Sequence, residues 1–397
     1  MPWKGYLRKD GRKGIRNQLL VVYLVECAHH VARLITQKFP DAPVQLIGFP
    51  GCYPNEYADR IMNALCVHPN TGAVLLVSLG CESFNRNALQ KNIAASGRPC
   101  HTLVIQQAGG TKKTIDAGIA WINETLAGLN YVPKTDMQVE DLVIGTVCGG
   151  SDATSGITAN PAVGRVFNRL VENKAIAIFE ETGEMIGLEH IISQRGATPA
   201  LGTALKKSVE KAGRYYTQMG HGSFAPGNAD GGLTTIEEKS MGAYCKSGEA
   251  PITGLIKPGD IPVLPGLYLM DVVPDGPLKF GFPNINDNAE IVEMIASGSH
   301  IILFTTGRGS VVGSAISPVI KICANPQTYR RMQDDMDVNA GRILSGKSTL
   351  DEIATEIFEL IQKVAAGATT CSEALGHQEF ILTYKTFTPT GPSCLPV

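Results

Sequence analysis

Along the first third of the chain, short apolar runs alternate with stretches whose apolar positions return every three to four residues. NQLLVVYLVE (17–26) reads as a buried strand, and CAHHVARLITQKF after it as a helix. VQLIGF (44–49) leads to the helical NEYADRIMNALC (55–66), AVLLVSLG (73–80) to a helix at 84–95, and HTLVIQQAG (101–109) to one at 112–128. Such alternation predicts right-handed crossovers and a parallel, doubly wound sheet. YVPKTDMQVED (131–141) reads as a linker, which divides an N-terminal α/β lobe (1–135) from a C-terminal one (136–397).

Beyond it the alternation resumes with LVIGTV (142–147), a helix over AVGRVFNRLV (162–171), AIAIFEET (175–182) and helices at 184–196 and 199–218. GLYLMDVV (266–273), a helix at 287–297, IILFTTGRGS (301–310) and a helix at 349–365 follow. Residues 221–250 are Gly-rich and irregular until a helix at 235–245; a loop that long within a compact domain points to function. The expected fold is α/β: two Rossmann-like parallel-sheet lobes with the active site between them, at strand carboxyl ends.

Composition narrows the classes. With 35 Lys+Arg against 37 Asp+Glu the formal net charge is −2, which argues against a nucleic-acid or anionic-membrane partner. The basic start MPWKGYLRKDGRKGIRN lacks the apolar segment of a secretory signal, and no run is long enough to span a bilayer, so a cytoplasmic protein is expected. Ten cysteines without a CxxC pair make neither a disulfide scaffold nor a structural zinc site.

The candidate chemistry gathers after strands. Cys27, Cys52 and Cys81 each fall just past a predicted strand, as do Gln106 and Gln107. Taken singly, a free cysteine is often a small buried hydrophobe. In the turns FPGCYPN and SLGCES, however, Gly-Cys exposes the sulfur and brings backbone N–H groups near it. Cys66 and Cys100 read as structural. CGGSDATSGITANP (148–161) has neither Walker nor GxGxxG spacing, yet it sets many donors before a helix start. Asn160-Pro161 matches an N-cap followed by Pro at N1. Cys148, Asp152 and Ser155 exceed what capping requires, which favours an anion or metal pocket over a simple capped strand-to-helix turn.

FEETGEMIGLEH supplies Glu181, Glu184 and His190, suited to proton abstraction or a hard metal; an acidic helix start is the plainer alternative. GNADGGLTTIEEKSMGAYCKSG carries Asn228, Lys239 and Lys246, and FTTGRGS carries Thr305, Thr306 and Arg308, a bidentate partner for a carboxylate. DDMDVNAG (334–341) has the composition of a metal loop without EF-hand spacing. His68 and His221 stand without supporting context.

In this order, GYLRKDGRKGIRN, HPN with VSLGCE, CGGSDATSGITANPAVG, EETGEMIGLEH, GNADGGLTTIEEKSMGAYCKSG, FTTGRGS and DMDVNAG resemble the altronate and galactarate dehydratase family, which includes the sulfolactate sulfo-lyase large subunit. The resemblance spans essentially the whole chain. It implies a metal-dependent elimination from a small hydroxy-carboxylate: an α proton leaves, a β group departs, and a 2-keto acid forms. Hydroxide leaves in the sugar-acid dehydratases and sulfite in the sulfo-lyase.

On that reading Glu181, Glu184, His190 and Lys239 are catalytic, with Glu181 or His190 the base. Asp152, Ser155, Asn160, Asn228, Thr306 and Arg308 bind substrate. Iron is the implied cofactor, either as a labile iron–sulfur cluster on Cys52, Cys81 and Cys148 or as mononuclear Fe²⁺ on carboxylate and imidazole. Two departures stand out. Gly48 replaces the histidine of a His-x-x-Gly-Cys stretch, and the family's small N-terminal domain is absent. The latter implies a small SAF-like partner subunit beside a homo-oligomeric chain. A non-catalytic sugar-acid-binding protein is the reading from another class.

Overall fold

The computed structural model describes residues 2–220, 226–276 and 286–385. The described residues form two compact units: Lys4–Asp136 with Gly276 and 378–385, and Met137–Asp275 with 286–377 and 2–3.

The N-terminal unit is built on four parallel strands: β1 (Gln18–Tyr23), β2 (Val44–Gly48), β3 (Thr71–Ser78) and β4 (Cys100–Val104), in the order β2-β1-β3-β4. All eight residues of β3 are buried, as expected of a central strand covered on both faces. Helices α1 (Glu26–Thr36), α2 (Glu56–Cys66) and α3 (Arg86–Ala95) connect the strands, and α4 (Thr111–Leu129) follows the last of them. Leu19, Val21, Leu75, Val77, Ile35 and Ile122 lie in the core between sheet and helices. The expected strand at 101–109 ends at Val104, and Gln106 and Gln107 sit on a short helix, Ile105–Ala108. The expected linker also holds a strand, Lys134–Met137, which joins Trp3–Leu7 in a small three-stranded sheet with Lys13–Gly14.

The C-terminal unit has seven parallel strands: β5 (Val143–Cys148), β6 (Ile176–Phe179), β7 (Ile252–Ile256), β8 (Gly266–Met270), β9 (Ile301–Thr306), β10 (Val319–Cys323) and β11 (Val338–Asn339), ordered β7-β8-β6-β5-β9-β10-β11. Winding reverses between β5 and β9, and ligands bind outside strand carboxyl ends at such a switch point. Flanking helices are α5 (Ala159–Glu172), α6 (Glu189–Gln194), α7 (Pro199–Met219), α8 (Ile236–Lys246), α9 (Asp287–Ala296) and α10 (Leu350–Ala365). Three strands escaped the pattern: ITGLI has glycine at its centre, VIKIC has the fully buried Lys321, and β11 has two residues alone. The helix expected at 184–196 shrinks to α6, because residues 180–188 turn at the end of β6. Among the described residues no helix is long and apolar enough to cross a membrane.

Candidate active site

Cys148 ends β5, and Glu181 lies two residues past the neighbouring β6, whose Phe179 pairs with Thr146. Glu184 follows in the next turn. The Cys148 sulfur and one oxygen from each glutamate lie within 4.8 Å of one another. Two lysines reach the same group from one face of α8. Lys239 Nζ donates to Cys148 Sγ and to Ser151 Oγ, both at 3.1 Å. Lys246 Nζ donates to Glu181 Oε1, and neither side chain of this pair is exposed to solvent. Cys148 Sγ in turn donates to Glu181 Oε2 at 3.4 Å.

The lysines reach this point because α8 comes unusually close to α5. A Cβ on Gly164 would stand 2.1 Å from the Cys245 carbonyl oxygen, and one on Gly242 3.2 Å from Gly156 Cα. Asn160 Nδ2 donates to the Gly242 carbonyl at 3.0 Å, which fastens the crossing. Asn160 is therefore a residue inside α5 and not its cap; Thr158 holds that position, and the first turn buries Asn160.

Burial governs the titration of the group. It pushes the Cys148 thiol up, with Glu181 adding and Lys239 opposing. It raises Glu184 above the ordinary carboxylate value, again against Lys239. Burial alone would lower Lys239, but Cys148, Glu184 and Glu181 override it and hold the ammonium charged.

The second constellation ties loops together. Asp152 Oδ1 accepts from Thr154 N (2.9 Å) and Thr154 Oγ1 (2.6 Å), and Oδ2 accepts from Asn325 Nδ2 (2.8 Å). Ser155 Oγ accepts from Asp152 N, and Asn228 Oδ1 from Ser151 N, both at 3.1 Å. Thr306 Oγ1 donates to the Gly150 carbonyl at 3.1 Å, so the loops after β5 and β9 are stitched across the switch point. Asp152, Ser155, Asn228 and Thr306 thus come together, with their bonds directed at loop structure. Arg308 is exposed beside them, and its guanidinium has no hydrogen-bond partner among the described residues.

Replacing Asp152 with alanine is expected to destabilise the protein by about 1.5–3 kcal/mol, since it strands donors that now meet a charged acceptor. Thermal unfolding measures this, and an unchanged transition would refute the stitching role.

His190 is exposed on α6, unlike the enclosed carboxylates, and His68 is buried with Nδ1 accepting from Asn70 N at 3.0 Å. His221 lies outside the described residues. Cys52 and Cys81 belong to the N-terminal unit, Cys148 to the C-terminal one. Asp287, at the start of α9, was not singled out by the sequence. Its Oδ2 would stand 3.3 Å from a Cβ on Gly149, and Lys239 and Lys246 act on its charge. An acidic residue after an Asn cap reads as ordinary helix chemistry, so no sequence signal marked it.

Residues 139–388 match the family model described as D-galactarate/altronate dehydratase, C-terminal, and residues 5–130 match D-galactarate dehydratase/altronate hydrolase, second domain. The chain belongs to the galactarate and altronate dehydratase family. It is 31% identical over 96% of both chains to (2R)-sulfolactate sulfo-lyase subunit beta of Chromohalobacter salexigens. It is 29% identical to the altronate dehydratase of Bacillus subtilis (92% of this chain, 74% of that one) and 28% to that of Escherichia coli (95% and 76%).

Within this family the chain has a packing reason for Gly48. A Cβ there would sit 2.2 Å from Tyr23 Cδ1, so the tyrosine ring occupies the space a histidine would need. As for the implied iron, one thiol sulfur and two carboxylates within 4.8 Å form a donor set that Fe²⁺ accepts once the thiol has lost its proton. Lys239 and Lys246 already engage two of these side chains, so a metal there would compete with both ammonium groups.

Proposed function

We propose that this chain is a lyase that dehydrates a small sugar acid, such as altronate or galactarate, to a 2-keto-3-deoxy acid. The observation that supports it most is the buried Lys239 ammonium beside the half-buried Glu184 carboxylate at the sheet's switch point. Arg308 receives the substrate carboxylate as a bidentate partner. Glu184 takes the α proton, and Lys239 stabilises the enediolate that forms. The β hydroxide departs as water with the proton that Glu184 took, which returns the carboxylate, and the enol tautomerises to the keto acid. Glu181 is less suited as base, because both of its oxygens are engaged by Lys246 and Cys148. Iron, held by Cys148 and Glu181 with Glu184 left free as the base, would supply Lewis-acid polarisation of the substrate when bound.

The raised pKa of Glu184 fixes the sign of the pH dependence. A base must be ionised, so kcat/KM rises with pH through a value above the ordinary carboxylate range. A pH profile checks this; an acid limb at the usual carboxylate pKa would remove Glu184 from the role.

Release of sulfite and pyruvate from 3-sulfolactate is the second reading. The likeness to the sulfo-lyase subunit favours it. Anaerobic, iron-replete assay of aldonates, aldarates and sulfolactate separates the two by keto acid with or without sulfite. Tight binding without turnover across the panel would favour a non-catalytic sugar-acid-binding protein. The relative's printed name, subunit beta, supports a small partner subunit for this cytoplasmic homo-oligomer. Affinity capture from the native source is expected to recover that partner, and full activity of the purified chain alone would refute the need for it.

A further inference from the structure

The basic stretch GYLRKDGRKGIRN and the tripeptide HPN (68–70) play no part in the proposed elimination. They meet at the amino edge of the N-terminal sheet, where β1, β3 and β4 begin. Trp3–Leu7 and Lys13–Gly14 pair antiparallel, and residues 8–12 form the turn between them. Arg8 and Arg12 from this turn, with Arg98 from just before β4, donate to carbonyls of one segment between α2 and β3. Arg12 Nη2 bonds the Val67 carbonyl (2.7 Å) and Arg98 Nη2 that of His68 (3.0 Å). Arg8 Nε bonds the Pro69 carbonyl (2.7 Å) and Arg98 Nε that of Thr71 (2.9 Å). Gly14 permits the approach, since a Cβ there would stand 2.0 Å from the Pro69 carbonyl oxygen.

These bonds satisfy donors and leave charge unbalanced. Among the described residues Asp10 is the one carboxylate that pairs with the three guanidiniums. Arg12 Nε and Nη2 donate to its Oδ2 at 3.0 and 2.7 Å, and Arg98 Nη1 stands 3.9 Å from that oxygen. Three positive charges against one negative leave an excess of two, and the carboxyl end of α2 offers only about half a negative charge. Arg8 is 6% and Arg98 4% exposed, and a buried charge is costly unless paired. Burial pushes Arg8 down to about 9, with Arg98 adding. It pushes Arg98 down to about 10, with Asp10 opposing and Arg12 adding, so both stay charged at neutral pH. Arg98 Nη1 is buried and has no hydrogen-bond partner among the described residues.

We propose that Arg12 and Arg98 form a binding site for an oxyanion of the phosphate class, in which the Asp10 carboxylate is the stand-in. With Asp10 turned out to solvent, three positive charges face the site, and a dianion neutralises more of them than a carboxylate can. Guanidinium forks are planar donors that phosphate accepts bidentately. The approach is from solvent: the Arg12 and Asp10 side chains are 30% and 31% exposed, against 2% for Arg98 behind them. A Cβ on Gly11, at φ +85°, would meet nothing within 4 Å, so the turn is open there. Lys9 borders it, with Cδ 2.6 Å from where a Cβ on Gly97 would stand. The entering oxyanion displaces Asp10, keeps Arg12 and gives Arg98 Nη1 a partner. Occupation ties the turn to residues 67–71 and stabilises the folded unit by mass action. The site shares no residue with the elimination centre and does not rest on that activity.

Calorimetric titration of the full chain with inorganic phosphate, at ionic strength held constant with chloride, tests the site. Saturable binding of one phosphate per chain and a melting temperature that rises with phosphate are expected, with chloride giving neither. Glycerol phosphate, titrated separately, distinguishes a free ion from the head of a phosphomonoester, and the tighter binder identifies the source. Asp10→Asn removes the competing carboxylate and is expected to tighten binding about tenfold or more, the equivalent of one charged hydrogen bond. Arg98→Lys loses the fork and is expected to weaken binding by a similar factor. Arg98 also holds two carbonyls, so circular dichroism shows whether its variant is folded, and Asp10→Asn tests the site independently. A response without saturation would mean an adventitious ion only. That result, unchanged or weaker binding in Asp10→Asn, or unchanged binding in folded Arg98→Lys would each overturn the proposal.

Discussion

Lys239→Met is expected to lower kcat by about 10²–10³-fold, the loss typical of removing one preorganised donor from a developing oxyanion. The side chain is 5% exposed, so its charge acts in a medium that screens little. Its neighbours, Cys148 and Ser151, fix the ammonium before substrate arrives. Little reorganisation is then needed when negative charge appears on the substrate. Lys239→Arg should not restore the rate, because a planar fork cannot occupy the position of a compact ammonium between two acceptors. Steady-state kinetics with the substrate that emerges from the panel decides the matter. A variant with kcat within a fewfold of the parent, folded by circular dichroism, would remove Lys239 from the mechanism.

Lys246→Met tests stability at the same place. Glu181 and Lys246 are both fully buried, and each is the other's ion-pair partner. Removing the ammonium leaves a carboxylate enclosed in protein with only the Cys148 thiol against Oε2. Breaking one side of such a pair costs about 3–5 kcal/mol, whereas replacing both members by similar volumes is often near neutral. Lys246→Met should therefore be strongly destabilised in denaturant unfolding, and Lys246→Met with Glu181→Gln should recover most of the loss. Equal destabilisation of the single and double variants would mean that the pair contributes through packing alone.

Much of the architecture was legible because it is local. The continuous apolar runs and the period-3.6 stretches located the strands and helices of the N-terminal unit, since a strand such as β3 buried on both faces must be continuously apolar. Departures came where long-range contacts override local pattern. Lys321 interrupts VIKIC, yet it is buried with Nζ 3.2 Å from His377 Nδ1, an arrangement that only the folded chain can supply. The acidic, Gly-containing stretch after β6 suits a helix start, but residues 180–188 turn there and bring Glu181 and Glu184 to Cys148.

The candidate site divides along the same line. By itself the sequence determined which chemistry is available, namely the cysteine, the two glutamates, the lysines and the arginine placed after strands, because strand ends and glycine-rich turns are written in neighbouring residues. Only the tertiary structure decided their partners. It set Lys239 and Lys246 against Cys148 and Glu181 through the close approach of α8 to α5, and it directed Asp152 and Asn160 to holding loops and helices. It also left His190 at the surface and added Asp287. These outcomes depend on contacts between residues far apart in the chain, where the physical cause is packing and burial, neither of which a local pattern carries.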